Sequence, residues 1–366
     1  MKIYWCSCGL RLTHPTSTHR NSNRIAICSD PNVYKHKYME NSTMNNIQTI
    51  LQSARSGAAI YNSSDWGKIL VSDRDRLRFL HNQSTADFEK RLAGEGCDTV
   101  FVTSTARTID LVTGLILDDE VLLIGSPNRR ENLFNWLDRY IFFADRVKLK
   151  DVTDTLASFT LMGDESAGIL AQLGCPITDL PQHSHQIYII DGVEVRIAIG
   201  TELGLPGYRL ICDRDESAIL HQLITNLGAA LVDEDAWECL RITQGRPKPD
   251  AELTEDYNPL EVGLWDTISF AKGCYIGQET IARLNTYRGV KQYLWGLKLA
   301  GSVAVGATIT VDGEKVGVLT SCSDNGEILG LGYVRSKAGG VGLKVMVGDV
   351  EGEIINIPFV RHEYPV

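Results

Sequence analysis

The feature that most constrains this chain is a change of texture along it. Strand–strand–helix units run as far as about Gly289, and only short, glycine-separated strands follow. Gly67–Val71 reads as a strand, and Ser72 and Asp73 can cap a helix through Leu77 and Leu80. Thr99–Thr103, Arg107–Leu117 and Glu120–Gly125 read as strands, with Asp118 and Asp119 at a tight turn between the last two. Ser126–Pro127 suits the start of a helix whose apolar face carries Leu133, Phe134, Leu137, Tyr140 and Ile141. A second set follows: a strand Ser158–Met162, a helix Ala167–Leu173, and a hairpin Gln186–Ile190/Val193–Ile199 around Asp191–Gly192. Then come a strand Tyr208–Cys212, a helix Ser217–Leu227 and a helix capped by Asp233 and ended at Gly245. Such units imply an α+β body in which helices cover mostly antiparallel sheet. The segments Tyr293–Leu299, Thr308–Val311, Lys315–Thr320, Ile328–Val334, Leu343–Val347 and Gly352–Ile355 predict a small closed β-barrel.

Charge narrows the function. Residues 1–45 hold six Lys/Arg against Asp30 and Glu40, which leaves 30 basic and 44 acidic side chains, or −14, on the remaining 321 residues. An acidic body is a poor match for phosphate backbones, so nucleic acid is not an expected partner. No apolar stretch approaches the length that spans a bilayer. The nine cysteines are scattered without any Cys-x-x-Cys, which argues against a disulfide framework or a structural zinc site and for a reducing compartment; no metal site is expected. The basic, Ser/Thr/His/Asn-rich residues 1–45 read as an organellar transit peptide or an extension outside the fold, followed by a body over 46–288 and a barrel domain over 289–366.

The most informative stretch is Lys272-Gly273-Cys274-Tyr275-Ile276-Gly277-Gln278-Glu279. Its glycines permit a tight loop, and a helix starts near Gln278. Cys274 then lies between Lys272 and a helix N-terminus. A cation and a positive dipole end both favour thiolate, which makes this the one cysteine placed to react or to ligate iron.

This octet resembles the Lys-Gly-Cys-Tyr/Phe-x-Gly-Gln-Glu signature of YgfZ-type proteins, relatives of the T-protein (aminomethyltransferase) of the glycine cleavage system. Leu240–Pro247, Asn258–Leu264, Lys315–Ser321 and Leu329–Val334 are similar to the flanking family segments, and Phe79–Phe88 and Asp98–Asp110 resemble the plant chloroplast members. The resemblance implies a three-lobed α+β fold, with ferredoxin-like lobes and a C-terminal β-barrel around a central folate site. It implies tetrahydrofolate or a derivative as cofactor, contacts from Arg241 and Tyr364, and further binding residues in Tyr275, Gln278, Glu279 and Arg283. Cys274 and Lys272 become the expected catalytic pair. Asp118 and Asp119 resemble the acidic pair that assists methylene transfer in T-proteins, although hairpin-turn chemistry suits them equally. In the segment Glu202–Gly207, Pro206 stands where the T-protein has an acid, and Lys-Gly-Cys replaces a Lys-Gly-Asp-like version; both count against authentic glycine cleavage. The function implied is a folate-dependent accessory factor for iron–sulfur cluster assembly or repair, partnered by iron–sulfur proteins or assembly factors. The alternatives are a one-carbon transferase and a tRNA-modification factor. Whether the chain is an enzyme stays open, and a plastid is expected before the mitochondrial matrix.

Overall fold

The computed structural model describes residues 47–177, 180–324 and 327–364. The transit-peptide expectation for residues 1–45 falls outside them. The first lobe is a five-stranded sheet in the order β3-β4-β5-β2-β6, formed by β2 (Lys68–Ser72), β3 (Gly96–Val102), β4 (Thr108–Ile116), β5 (Glu120–Ile124) and β6 (Lys148–Asp151). Helices α2 (Arg76–Gln83) and α3 (Arg130–Arg139) bury Phe79, Leu80, Leu133 and Leu137 with Val71, Val112 and Leu123 in the core of this lobe.

The second lobe is a six-stranded sheet, β11-β1-β7-β10-β9-β8. Its strands are β1 (Ala59–Asn62), β7 (Leu156–Met162), β8 (His185–Ile190), β9 (Val193–Ile199), β10 (Gly207–Asp213) and β11 (Ala230–Val232). Every pairing is antiparallel except β1 with β11. Strand β7 shows the two-residue period. Ala157, Phe159 and Leu161 enter the core with α4 (Ser166–Gln172) and α5 (Ser217–Asn226), while Ser158 and Thr160 are buried among polar partners. A helix over residues 47–56, α1, and α6 (Glu234–Gln244) contribute Ile50, Ala54, Trp237 and Leu240 to a separate core with Tyr61 and Trp66.

The predicted barrel is present and closed, in the order β12-β15-β14-β13-β16-β17, over β12 (Gln292–Leu299), β13 (Thr308–Val311), β14 (Glu314–Ser323), β15 (Leu329–Arg335), β16 (Lys344–Val347) and β17 (Val350–Ile355). Gly317 is obligatory there, since a Cβ would stand 2.1 Å from the Tyr333 carbonyl oxygen. One core cluster takes Val100 and Leu111 from the first lobe, Ile242 from α6, and Leu294, Leu331 and Tyr333 from the barrel, and so ties the three lobes together.

Several local expectations change. Strands β1, β6 and β11 and helix α1 have no counterpart in the sequence reading. The helix expected at Ser126–Pro127 starts instead at Arg130, with Arg129 at its N-cap and no side-chain cap, while the Ser126 hydroxyl donates to Asp110 at 2.7 Å. Asp233 does cap α6, accepting from the Ala236 N–H at 2.9 Å, and Gly245 ends that helix at φ +82°.

His185 joins the first two lobes through its N–H to the Gly94 carbonyl at 2.8 Å. Arg196 donates to His185 Nδ1 at 3.0 Å, and an arginine cannot accept, so the ring is held neutral. Burial, then the Arg196 charge, lowers its pKa from 6.5 to about 4. Between those values the unfolded chain binds the proton more readily. Stability from the neutral ring is complete above pH 6.5 and is lost as pH falls toward 4, by up to about 3 kcal/mol. Urea midpoints are expected to fall across that window and to fall less in His185→Gln; parallel pH profiles would contradict this.

Candidate functional site

A cleft of about 410 Å³ opens where β1, the loop before β2, the end of β5, and α6 with its following loop converge. Helix α6 shows it Glu234, Trp237, Glu238 and Arg241, whose spacing of three and four residues places them on one helical face. Tyr61 stacks on Trp237 with ring centroids 4.0 Å apart, and Trp66 meets Trp237 edge-on at 5.9 Å. The Tyr61 hydroxyl donates to Glu234 at 3.0 Å; burial, then the Glu234 charge, pushes its pKa far above the usual phenol range. Trp66 is 3% exposed, and its Nε1–H, near the Tyr61 hydroxyl, makes no hydrogen bond among the described residues. The Arg246 guanidinium lies over the Trp66 ring at 5.2 Å. The cleft is thus lined by three mutually packed, largely buried aromatic rings, a buried indole N–H, carboxylates at Asp65 and Glu234, and an ammonium group at Lys248.

Arg241 lies where the resemblance places it, but it is 2% exposed and fully engaged. Its Nε–H and one Nη2–H grip Glu238 at 2.7 and 2.8 Å. The other Nη2–H goes to Ser321 at 2.7 Å, and Nη1 donates to the Arg246 carbonyl at 2.7 Å and to Glu252 at 3.1 Å. These account for all five donors of a guanidinium. Arg241 therefore shapes the cleft and holds Glu238, and has no donor left for a ligand.

Asp110, on β4, is a carboxylate that sequence reasoning missed. It is fully buried and accepts from the Ser126 N–H at 3.0 Å and the Ser126 hydroxyl at 2.7 Å, and Ser126 itself lines the cleft. Burial raises its pKa above the ordinary carboxylate range against those hydrogen bonds. Gly125 makes room for it: a Cβ there would stand 2.9 Å from Asp110 Oδ2. The available signal was an acid at an interior position of an otherwise apolar strand. Asp118 and Asp119 sit instead on the exposed β4–β5 turn, where Arg76 donates to the Asp118 carbonyl at 2.9 Å, and neither lines the cleft. Glu202 and Arg209 form a buried ion pair, with Thr160 donating to Glu202 at 2.5 Å and Arg246 to its carbonyl at 2.9 Å.

The octet forms a turn leading into α7 (Gln278–Thr286), for which Gly277 supplies a residue at φ +81°. Lys272 is 7% exposed and spends all three N–H donors on the carbonyls of His81, Ser84 and Ala86, at 2.5, 2.6 and 2.7 Å. Burial lowers its pKa to about 7, and Asp87 opposes that fall. Lys272 therefore anchors the turn and has no donor left for the thiol. Cys274 is exposed, unlike Cys97, Cys175, Cys212 and Cys239. Tyr275 is buried beneath Lys272, whose ammonium lies 4.6 Å from the ring centre; Gln278 donates to the Gly273 carbonyl at 3.3 Å; Glu279 and Arg283 face solvent. Tyr364 packs on Trp265 at 4.8 Å and accepts from the Val290 N–H at 3.2 Å, in the same apolar cluster as Tyr275. The structure thus gathers the octet and Tyr364 in one region, and Arg241 lines the cleft without any of them.

Arg241→Ala leaves Glu252 buried without its cation. We expect it to lower unfolding free energy by about 3–5 kcal/mol in urea melts. A loss below about 1 kcal/mol would assign Arg241 to ligand binding alone.

Comparison with known proteins agrees with this architecture. The family model described as the GCVT N-terminal domain matches residues 24–272. A chloroplastic protein of Arabidopsis thaliana, named provisionally as a transferase, is 42% identical over 88% of this chain and 76% of its own length. An aminomethyltransferase of Halothermothrix orenii is 26% identical over 84% of this chain and 90% of its own. The crystal structure of the glycine cleavage aminomethyltransferase T of Bartonella henselae superposes with a TM-score of 0.75 at 19% identity, covering 87% of this chain and 90% of that one. With the family model spanning more than half its length, this chain belongs to the GCVT N-terminal domain family of aminomethyltransferase-like proteins.

Proposed function

We propose that this protein binds a reduced folate, tetrahydrofolate or a derivative, in the cleft lined by Tyr61, Trp66 and Trp237, and serves as a YgfZ-type accessory factor for iron–sulfur proteins. The observation that carries the ligand reading is the cleft's composition. A pterin needs aromatic walls, a donor for its carbonyl and a carboxylate for its amino edge, and Trp66, Trp237 and Glu234 are of those kinds. Lys248, bonded to Glu238 through one N–H at 2.7 Å, keeps donors for an acidic tail. The accessory role rests on the exposed Cys274 at the octet turn, together with the two departures from the T-protein pattern that the resemblance implies: Lys-Gly-Cys in place of a Lys-Gly-Asp-like version, and Pro206 in place of an acid. A plastid location is part of the same proposal, supported by the name of the Arabidopsis relative.

Asp110 favours a second reading. A buried carboxyl beside the cleft, its pKa raised by burial, holds a proton more readily than a free carboxyl, which suits the proton transfer that one-carbon transfer onto folate requires. In that reading Asp110, rather than Asp118 or Asp119, is the acid.

Calorimetric titration of the full chain with tetrahydrofolate is expected to show binding that Trp237→Ala weakens about tenfold or more. No binding by the wild type would remove the folate reading. In a bacterium lacking its YgfZ protein, rescue by the wild type and not by Cys274→Ala supports the accessory role; rescue by both removes the thiol from it.

A further inference from the structure

A second cleft, of about 450 Å³, lies between the first two lobes and the segment that leads into the octet. It is lined by Arg91 and Asp98 of the first lobe, Gln182 and His183 of the second, and Asp266 and Ser269 just ahead of Lys272. Its walls are fixed. The Ser269 N–H donates to the Thr85 carbonyl at 3.0 Å, and the His183 N–H to the Ile199 carbonyl at 2.9 Å. Gly96 admits the second-lobe loop, since a Cβ there would come within 2.9 Å of the His183 carbonyl oxygen.

His183 is held at φ +65°, a conformation that is costly for a non-glycine residue and persists where surrounding structure enforces it. Its ring pairs with Asp98 at 3.2 Å, and the Thr113 hydroxyl donates to the same carboxylate at 2.6 Å. Burial opposes ionisation of Asp98, yet His183 keeps its pKa well below the ordinary range.

Charge accounting then singles out one group. Asp87 is neutralised by Lys90 at 3.0 Å and is bonded to His81 at 3.1 Å. Asp98 is hydrogen-bonded by the His183 ring and the Thr113 hydroxyl, and Asp266 is paired with Arg361 at 2.9 Å. Each lining carboxylate thus already has a polar partner within the chain. Among the described residues the Arg91 guanidinium has no acceptor, and the side chains of Gln182 and Ser269 have no hydrogen-bond partner. Arg91 lines the cleft beside Cys97.

We propose that this inter-lobe cleft is a second ligand site, which takes the oxyanion of a small carboxylate or phosphate on the Arg91 fork, with Ser269 and Gln182 as neutral donors. A planar guanidinium suits two oxygens of either group. The proposal is independent of the folate reading, because it uses no residue of the aromatic cleft.

The test is the melting temperature of the full chain in inorganic phosphate and, separately, in acetate, each against chloride at equal ionic strength. Stabilisation by either oxyanion is expected; phosphate alone would identify a phosphoryl ligand, and both together a site that also takes carboxylates. Arg91→Gln should raise the apparent dissociation constant about tenfold, Arg91→Lys less, and Ser269→Ala should give a smaller loss than Arg91→Gln. Arg91 makes no ion pair whose loss would unfold the chain, so the variants report on binding. No stabilisation beyond chloride, or an unchanged response in Arg91→Gln, would overturn the proposal.

Discussion

One guanidinium sets how the second lobe meets the barrel. Arg241, on α6, reaches the Arg246 carbonyl and Glu252 on the following loop and Ser321 on β14. Glu252, fully buried, also accepts from the hydroxyls of Thr320 and Ser321 at 2.7 Å each and from the Lys248 N–H at 3.1 Å. The Tyr333 hydroxyl closes the network on the Glu252 carbonyl at 2.7 Å, beneath a Tyr257 ring stacked 3.4 Å away. Two buried charges with every donor and acceptor used are tolerated in one geometry only, which specifies the angle of α6 and hence the shape of the aromatic cleft.

Lys272 plays a comparable part for the first lobe. Its three carbonyl acceptors lie on and just beyond the end of α2, and the Ile276 N–H adds a bond to the Asn82 carbonyl at 3.1 Å. The turn is fixed from beneath, with Tyr275 turned inward and Cys274 outward. A rigid loop that exposes one thiol differs from a thiol activated by a neighbouring ammonium, and the lysine's geometry supports the first description.

Much of the fold was legible in the sequence because period and punctuation agree there. The Asp191–Gly192 turn, with φ of +49° and +85°, follows from residue chemistry. So do the Asp233 cap and the barrel strands between glycines. Strands β1 and β11 were not legible: each has only three or four residues, and they are held by pairing, β11 with β1 and β1 with β7, rather than by a local pattern. Ser126 misled for a related reason, since its hydroxyl serves a carboxylate sixteen positions upstream rather than its own helix. The cleft was half legible. The α6 face could be read from spacing alone, whereas Tyr61, Trp66 and Asp110 reach it only through the sheet topology. The engagement of Arg241 depends on Glu252 and Ser321 from distant segments, which no local reading brings together.

The most direct test of this account is a crystal structure of the full chain with tetrahydrofolate. The account predicts the pterin against Trp66 and Trp237, with the Arg241–Glu252 contact intact. A folate held by the Arg241 guanidinium, with Glu238 displaced, would contradict it.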